Sequence, residues 1–184
     1  MTSYAGKAWD AVEYGVRKED GAPYYAKDHS VGIPGFCKLY PVVACARNPY
    51  ARELSYYLWN RRHPASNHPV HIAASAFSFS RYMEFRLKYR QYDSFATRLF
   101  GTQSDFLRDV SYTMILPFEQ INEAFTLFCE TVGITPVPLG LSRDTDSAPY
   151  DPLELYTLRA KRLVQEWAAD DFTTFGYDPN LLPW

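Results

Sequence analysis

The segment Leu39-Tyr40-Pro41-Val42-Val43-Ala44-Cys45-Ala46 is apolar without interruption and rich in β-branched residues. A run with no polar alternation predicts a strand covered on both faces, the pattern of a parallel sheet. The strand is expected over Pro41–Ala46 and stops at Arg47. Asn48 then offers a cap and Pro49 a first helical residue whose missing N–H costs nothing, so a helix is expected from Pro49 to about Asn60. On it Tyr50, Leu54, Tyr57 and Leu58 share one stripe and Asn48, Arg52 and Ser55 another, so one stripe packs and the other is polar. Thr113-Met114-Ile115-Leu116 repeats the buried-strand signature, and Pro117 ends it, giving a second strand over Tyr112–Pro117.

The helical period recurs through Phe79, Tyr82, Met83 and Leu87, predicting a helix near 79–90, after a His-, Pro- and Ala-containing connection over residues 61–76. A short helix is expected at Ser104–Asp109. Ile121, Phe125, Phe128 and Val132 line a helix near 119–132 that Gly133 stops. Residues 134–150 read as loop. Asp151, Pro152 and Glu154 are expected as an N-cap, a first-position proline and a capping-box acid, with Leu153, Tyr156, Ala160, Leu163 and Trp167 as the apolar face of a helix over 152–169. Nearer the amino terminus only Trp9–Val16 suggests a helix. Strands leading into helices, with no Asn-Gly hairpin signal, predict an α/β domain: a short, mainly parallel sheet flanked by helices.

Composition narrows this picture without redrawing it. The 184 residues suit one domain over 1–184, with 1–26 poorly defined, and 47% hydrophobic against 22% charged residues excludes disordered and low-complexity classes. A net charge of -2 supplies no global field for nucleic acid or anionic membrane, so no nucleic-acid partner is expected and any anion site is local. No stretch approaches the length of a membrane span and residues 1–30 lack a signal-peptide pattern, which points to the cytoplasm. Cys37, Cys45 and Cys129 are odd in number, lack CxxC spacing and read as buried thiols. His63, His68 and His71 fit no metal-ligand spacing and read as a solvated loop, so no metal is expected.

The chemistry concentrates at Val42–Tyr57. A strand opening directly into a helix presents free N–H groups and the positive helix end at the sheet's carboxyl edge, where α/β proteins hold phosphates. Arg47 sits at that edge, a guanidinium suited to bidentate phosphate contact, and Ser55 can add a hydroxyl beside Arg52. The alternative is that Arg47 and Arg52 meet carboxylates and Ser55 is solvated.

These residues carry a resemblance. Arg47-Asn48-Pro49-Tyr50-Ala51-Arg52-Glu53-Leu54-Ser55-Tyr56-Tyr57, behind its strand, resembles the 3′-phosphate-binding segment of sulfotransferases, R-N-P-aromatic-x-R-x-x-S-x-Y. In the same order, Lys27-Asp28-His29-Ser30 is similar to K-x-H-S of the carbohydrate-type branch, Phe77–Phe85 to its aromatic helix, and Gln103-Ser104-Asp105-Phe106-Leu107 to Q-x-x-F-L. Leu116-Pro117-Phe118-Glu119 resembles the strand-end R-F-E, and Asp170–Tyr177 the closing D-F-x-x-F-G-Y. The likeness spans about residues 27–178. It implies a P-loop-NTPase-like sulfotransferase fold and 3′-phosphoadenosine 5′-phosphosulfate (PAPS) as sulfuryl donor. It also implies Arg47 and Ser55 on the donor's 3′-phosphate with Arg52 in support, His29 as general base, and a hydroxylated acceptor such as a saccharide.

The family also opens with a strand and a P-K-T-G-G-T-S loop, which this sequence lacks: Gly6-Lys7 is followed by Ala8, with no glycine upstream. That departure implies a shortened amino terminus, a start further upstream, or lost chemistry, and a sheet without its first strand would expose edges that invite a homodimer. Arg143-Asp144-Thr145-Asp146-Ser147 departs too, placing acids where the family has an Asn-Ser pair. Beside enzymatic sulfuryl transfer, two other classes therefore remain: a non-catalytic nucleotide- or glycan-binding remnant, and an interaction protein that dimerises through a sheet edge.

Overall fold

In the computed structural model the described residues are 40–62, 69–90, 101–108, 110–139 and 151–184. In chain order they form β1 (Val43–Ala46), α1 (Pro49–Arg62), α2 (Pro69–Ala76), α3 (Phe79–Tyr89), α4 (Gln103–Leu107), β2 (Met114–Pro117), a 3-10 turn (Phe118–Gln120), α5 (Ile121–Thr131), α6 (Pro152–Leu155), α7 (Leu158–Trp167) and α8 (Ala169–Phe175). The chain is α/β, with helices predominating. β1 and β2 pair in parallel, Val43 opposite Met114 through Ala46 opposite Pro117. Thr113 N donates to Val42 O at 2.7 Å and Val42 N to Thr113 Oγ1 at 3.1 Å, so side-chain and backbone bonds extend the ladder beyond its regular part.

Local sequence explains the boundaries. Asn48 Oδ1 accepts from Tyr50 N at 2.9 Å, capping α1 behind Pro49. At α4 the Thr102 hydroxyl accepts from Asp105 N while Asp105 Oδ2 accepts from Thr102 N, a reciprocal capping box that starts this helix one residue before the expected Ser104. α5 ends as its glycine predicts: Gly133 has φ +71°, and Ile134 N reaches back to Cys129 O at 2.8 Å while Gly133 N reaches Glu130 O at 3.2 Å.

Several expectations are corrected. The connection expected over 61–76 contains α2, whose Val70, Ala73 and Ala74 are buried; Pro69 is its first helical residue. The single helix expected over 152–169 is two, because Tyr156 leaves helical geometry at ψ 72° and Thr157 caps a new start, its hydroxyl accepting from Ala160 N at 3.1 Å. Nor is β1 covered on both faces: Val43 is 36% exposed and Cys45 is exposed, since the sheet has two strands among the described residues and the main core lies elsewhere. Of the expected buried thiols, Cys129 is buried, Cys45 is not, and Cys37 lies outside the described residues.

The main core is helix packed on helix. Tyr50, Leu54 and Tyr57 of α1, Phe79, Tyr82 and Met83 of α3, and Ala160, Val164 and Trp167 of α7 share one buried cluster with Tyr156 and Phe172. Its rings meet edge-on or tilted, as with Tyr50 and Tyr156 at 5.5 Å or Phe79 and Tyr156 at 5.0 Å. Three of their hydroxyls are satisfied at the rim, Tyr57 donating to Phe77 O at 2.8 Å, Tyr156 to Tyr50 O at 2.7 Å and Tyr50 to Pro179 O, whereas the buried Tyr82 hydroxyl has no hydrogen-bond partner among the described residues. A smaller cluster of Leu116, Phe128 and Cys129 joins β2 to α5.

Candidate functional site

The junction after β1 is held by residues from three distant segments, around Gln103, Glu119 and 171–177. Arg47 N donates to Gln103 Oε1 at 2.8 Å, and Gln103 Nε2 returns a bond to Arg47 O at 2.9 Å. Asp171, fully buried at the start of α8, accepts from Gln103 N at 3.0 Å and Ser104 N at 2.7 Å, fixing α4 against that clamp. Glu119 Oε1 accepts from Asn48 N at 2.7 Å. The Tyr177 hydroxyl donates to Glu119 Oε2 at 2.8 Å and lies 3.3 Å from Ala46 O. The free N–H groups expected at this edge are therefore engaged: those of Arg47, Asn48 and Tyr50 already have side-chain acceptors.

What remains available is the Arg47 side chain. Its guanidinium lies over the Phe118 ring at 4.8 Å, half-buried, and makes no ion pair among the described residues. Burial pulls its pKa down while Glu119 pushes it up, yet an arginine stays charged. The Tyr177 hydroxyl is pushed well up, first by burial and then by its bond to Glu119. The Cys45 thiol, although its residue is exposed, is pushed up by partial desolvation and by Glu119, so it has little thiolate character.

The other expected site residues part company here. Ser55 is exposed on α1, six residues and about 9 Å along the helix from Pro49. Arg52 does not stand free beside it: Nη1 donates to Glu53 Oε1 at 2.5 Å and Nη2 to Gly101 O at 3.2 Å, which ties it to the interior. The expected polar stripe is thus uniform in residue type but not in surroundings, with Asn48 buried as a cap, Arg52 covered and Ser55 solvated. His29 lies outside the described residues, as do the Arg143–Ser147 stretch and the Gly6-Lys7 pair. Of the residues expected around a phosphate, Arg47 stands at the junction and Ser55 on the exposed face of α1.

Beneath the junction lies a charge network absent from the sequence-based expectations. Glu53 and Arg86 are fully buried and paired, and Glu53 also binds Arg52. The Arg86 guanidinium sits over Trp167 at 4.3 Å and Tyr56 at 5.0 Å, and burial, with Arg52 and Arg90 nearby, pulls its pKa well down. Arg90 donates to Trp167 O at 3.1 Å and Asp105 Oδ2 at 3.0 Å. The sequence does carry a signal for it: Glu53 falls with Tyr50, Leu54 and Tyr57, and Arg86 with Phe79, Tyr82 and Met83, on the inner stripes of α1 and α3. Opposite charges on two facing apolar stripes mark a buried pair. Leu87, expected on that stripe, is partly buried beside it.

His71 lies on α2 rather than in a loop, its ring 5.6 Å from Trp59, while His63 and His68 lie outside the described residues. Among the described residues no group of three metal-ligating side chains converges, and no helix is long and apolar enough to cross a membrane. No family model, no curated protein and no solved structure matches this chain.

Proposed function

We propose that the chain binds a nucleotide bearing a 3′-phosphate at the Arg47 junction and transfers a sulfuryl group from PAPS to a hydroxyl of a saccharide or small-molecule acceptor. The single observation that supports the reading is the Arg47 guanidinium, held on Phe118 at the carboxyl end of a parallel strand without an ion-pair partner among the described residues. A cation stabilised by a ring and near Glu119, but in no ion-pair contact with it, is open to an external anion. Ser55 would add a hydroxyl to the same phosphate. PAPS supplies the sulfuryl group; the acceptor oxygen forms the new S–O bond, the S–O bond to the donor phosphate breaks, and 3′,5′-diphosphoadenosine departs. His29 would take the acceptor's proton, as an imidazole can near neutral pH.

Calorimetry with 3′,5′-diphosphoadenosine against adenosine 5′-phosphate tests the binding step. The bisphosphate should bind more tightly, and Arg47→Ala should weaken it by about 1.5 to 3 kcal/mol; equal affinity for both nucleotides, unchanged by Arg47→Ala, sinks the reading. Radiolabelled sulfuryl transfer to mixed glycan acceptors, lost in His29→Ala, tests turnover. A second reading, binding without turnover, is favoured by the N–H groups at the junction being taken by Gln103, Glu119 and Asn48, and nucleotide binding with no transfer would select it.

A further inference from the structure

The outer face of α3 is a row of rings and cations. Phe77, just ahead of the helix, lies 6.3 Å from Phe85, and Phe85 lies 4.6 Å from Tyr89. The Arg81 guanidinium sits over Phe77 at 4.9 Å and the Lys88 ammonium over Tyr89 at 5.6 Å. Both cations are exposed, and neither makes an ion pair among the described residues. Glu84, the one acid on α3, is taken by Arg159 of α7. The face therefore offers two uncompensated positive charges about 10.5 Å apart along the helix, with the half-buried Phe85 between them.

The solvent face of α5 repeats that spacing with the opposite sign. Glu123 and Glu130 are exposed, and Leu127 between them is 55% exposed. α5 carries no basic residue, and neither carboxylate makes an ion pair among the described residues. The Thr126 and Thr131 hydroxyls donate to Asn122 O and Leu127 O, at 2.9 and 2.8 Å, and so are already engaged. Glu123, Leu127 and Glu130 line a shallow hollow of about 440 Å³ together with Asn122 and Thr126. Single exposed charges carry little information, but two matched rows carry more. Arg81, Phe85 and Lys88 stand at i, i+4 and i+7 on one helix, and Glu123, Leu127 and Glu130 at i, i+4 and i+7 on the other. Laid together, each cation meets a carboxylate and Phe85 meets Leu127, whichever way the helices run, because each row has like charge at both ends. We infer that copies of this chain associate, α3 of one packing on α5 of the next through these two rows. The occupant is a second copy because the chain itself supplies both halves of the match. The contact joins unlike faces and is heterologous. It is small and held largely by exposed charge, which makes it weak and salt-sensitive. It uses no residue of the Arg47 junction or of β1, so it stands independently of any nucleotide bound there.

Sedimentation velocity of the full chain, from roughly 10 μM to roughly 1 mM, reads the association. The weight-average sedimentation coefficient should rise with concentration at about 0.05 M NaCl, and the rise should be lost at about 0.5 M, where exposed charges are screened. A chain with Arg81→Glu and Lys88→Glu presents acid on both rows, and a chain with Glu123→Lys and Glu130→Lys presents base on both. Each alone should associate about tenfold more weakly or worse. Mixed in equal amounts, the two should associate as the unaltered chain does, since every α3 row then finds an α5 row of opposite sign on the other variant. Leu127→Asp should weaken association in the unaltered chain as well, by setting a charge against Phe85. The substituted positions are exposed, and circular dichroism should show the fold unchanged. A monomer at every concentration, association that persists in both charge-reversed chains, or a mixture no better than its components overturns the inference.

Discussion

Asp105 joins a helix cap to two ion pairs, and its titration carries a signed consequence. Burial pushes its carboxyl up, but the Thr102 N–H, Arg90, the Thr102 hydroxyl and Arg108 outweigh it and hold the pKa below the usual range. A carboxyl depressed in the folded state adds stability that is present above its unfolded pKa of about 4 and is lost as pH falls through the folded value. Urea unfolding from pH 7 to pH 2 should show that loss, and Asp105→Asn should flatten the slope while lowering stability at pH 7 by about 1 to 2 kcal/mol; an unaltered slope would refute the assignment. Glu53 has a different balance, being one carboxylate between Arg52 and Arg86. Glu53→Gln leaves buried guanidinium charge uncompensated and should cost about 3 to 5 kcal/mol, much of it recovered in Glu53→Gln with Arg86→Met. Thermal unfolding of the single and double variants checks it, and a double variant no better than the single would disprove the coupling. At this scale the sequence exposed Arg47 through its place after an apolar run. It does not expose the pair on α1 and α3, because a single charge within an apolar stripe fits a solvated edge as well as a buried pair until the facing stripe is known.

Among the elements, Gly133 and Thr157 show two kinds of punctuation. A side chain added at Gly133 meets nothing within 4 Å, so any loss in Gly133→Ala comes from the backbone at φ +71°. Chemical denaturation should register about 1 to 2 kcal/mol for it, with Gly133→Asn costing less because asparagine tolerates that region. A cost of zero would mean the turn is not maintained. Thr157→Ala should remove about 1 kcal/mol by uncapping α7, and helicity by circular dichroism should fall with it. The glycine stop was readable from sequence because only a left-handed turn calls for it there. The break before α7 was not, since apolar positions continue in helical period from Leu153 to Trp167 and only Thr157, with neither Pro nor Gly beside it, marks the restart. α2 is hidden for a related reason: Pro69 can begin a helix or end one, and the His, Pro and Ala residues around it fit a connection equally well.

Taken whole, the molecule divides its burial unequally. The helical cluster around Tyr57, Tyr82 and Trp167 is large, whereas Leu116, Phe128 and Cys129 form a small one on β2 and α5. Native-state hydrogen exchange should therefore find slower amides at Met83 and Val164 than at Phe128, and equal protection would show one cooperative core. The sequence conveyed strand–helix alternation and the parallel pairing, but not which layer dominates, because aromatic stripes on α1, α3 and α7 look alike whether a sheet or another helix covers them. The Tyr177 hydroxyl near Ala46 carries a further consequence, for synthesis. The two residues are 131 positions apart, and a ribosome adding about 5 to 20 residues per second takes roughly 7 to 26 seconds to cross that interval. Through all of it Arg47 has emerged without its clasp. A nascent chain thus carries this junction unassembled throughout that interval, and it closes only when the residues around Tyr177 leave the exit tunnel.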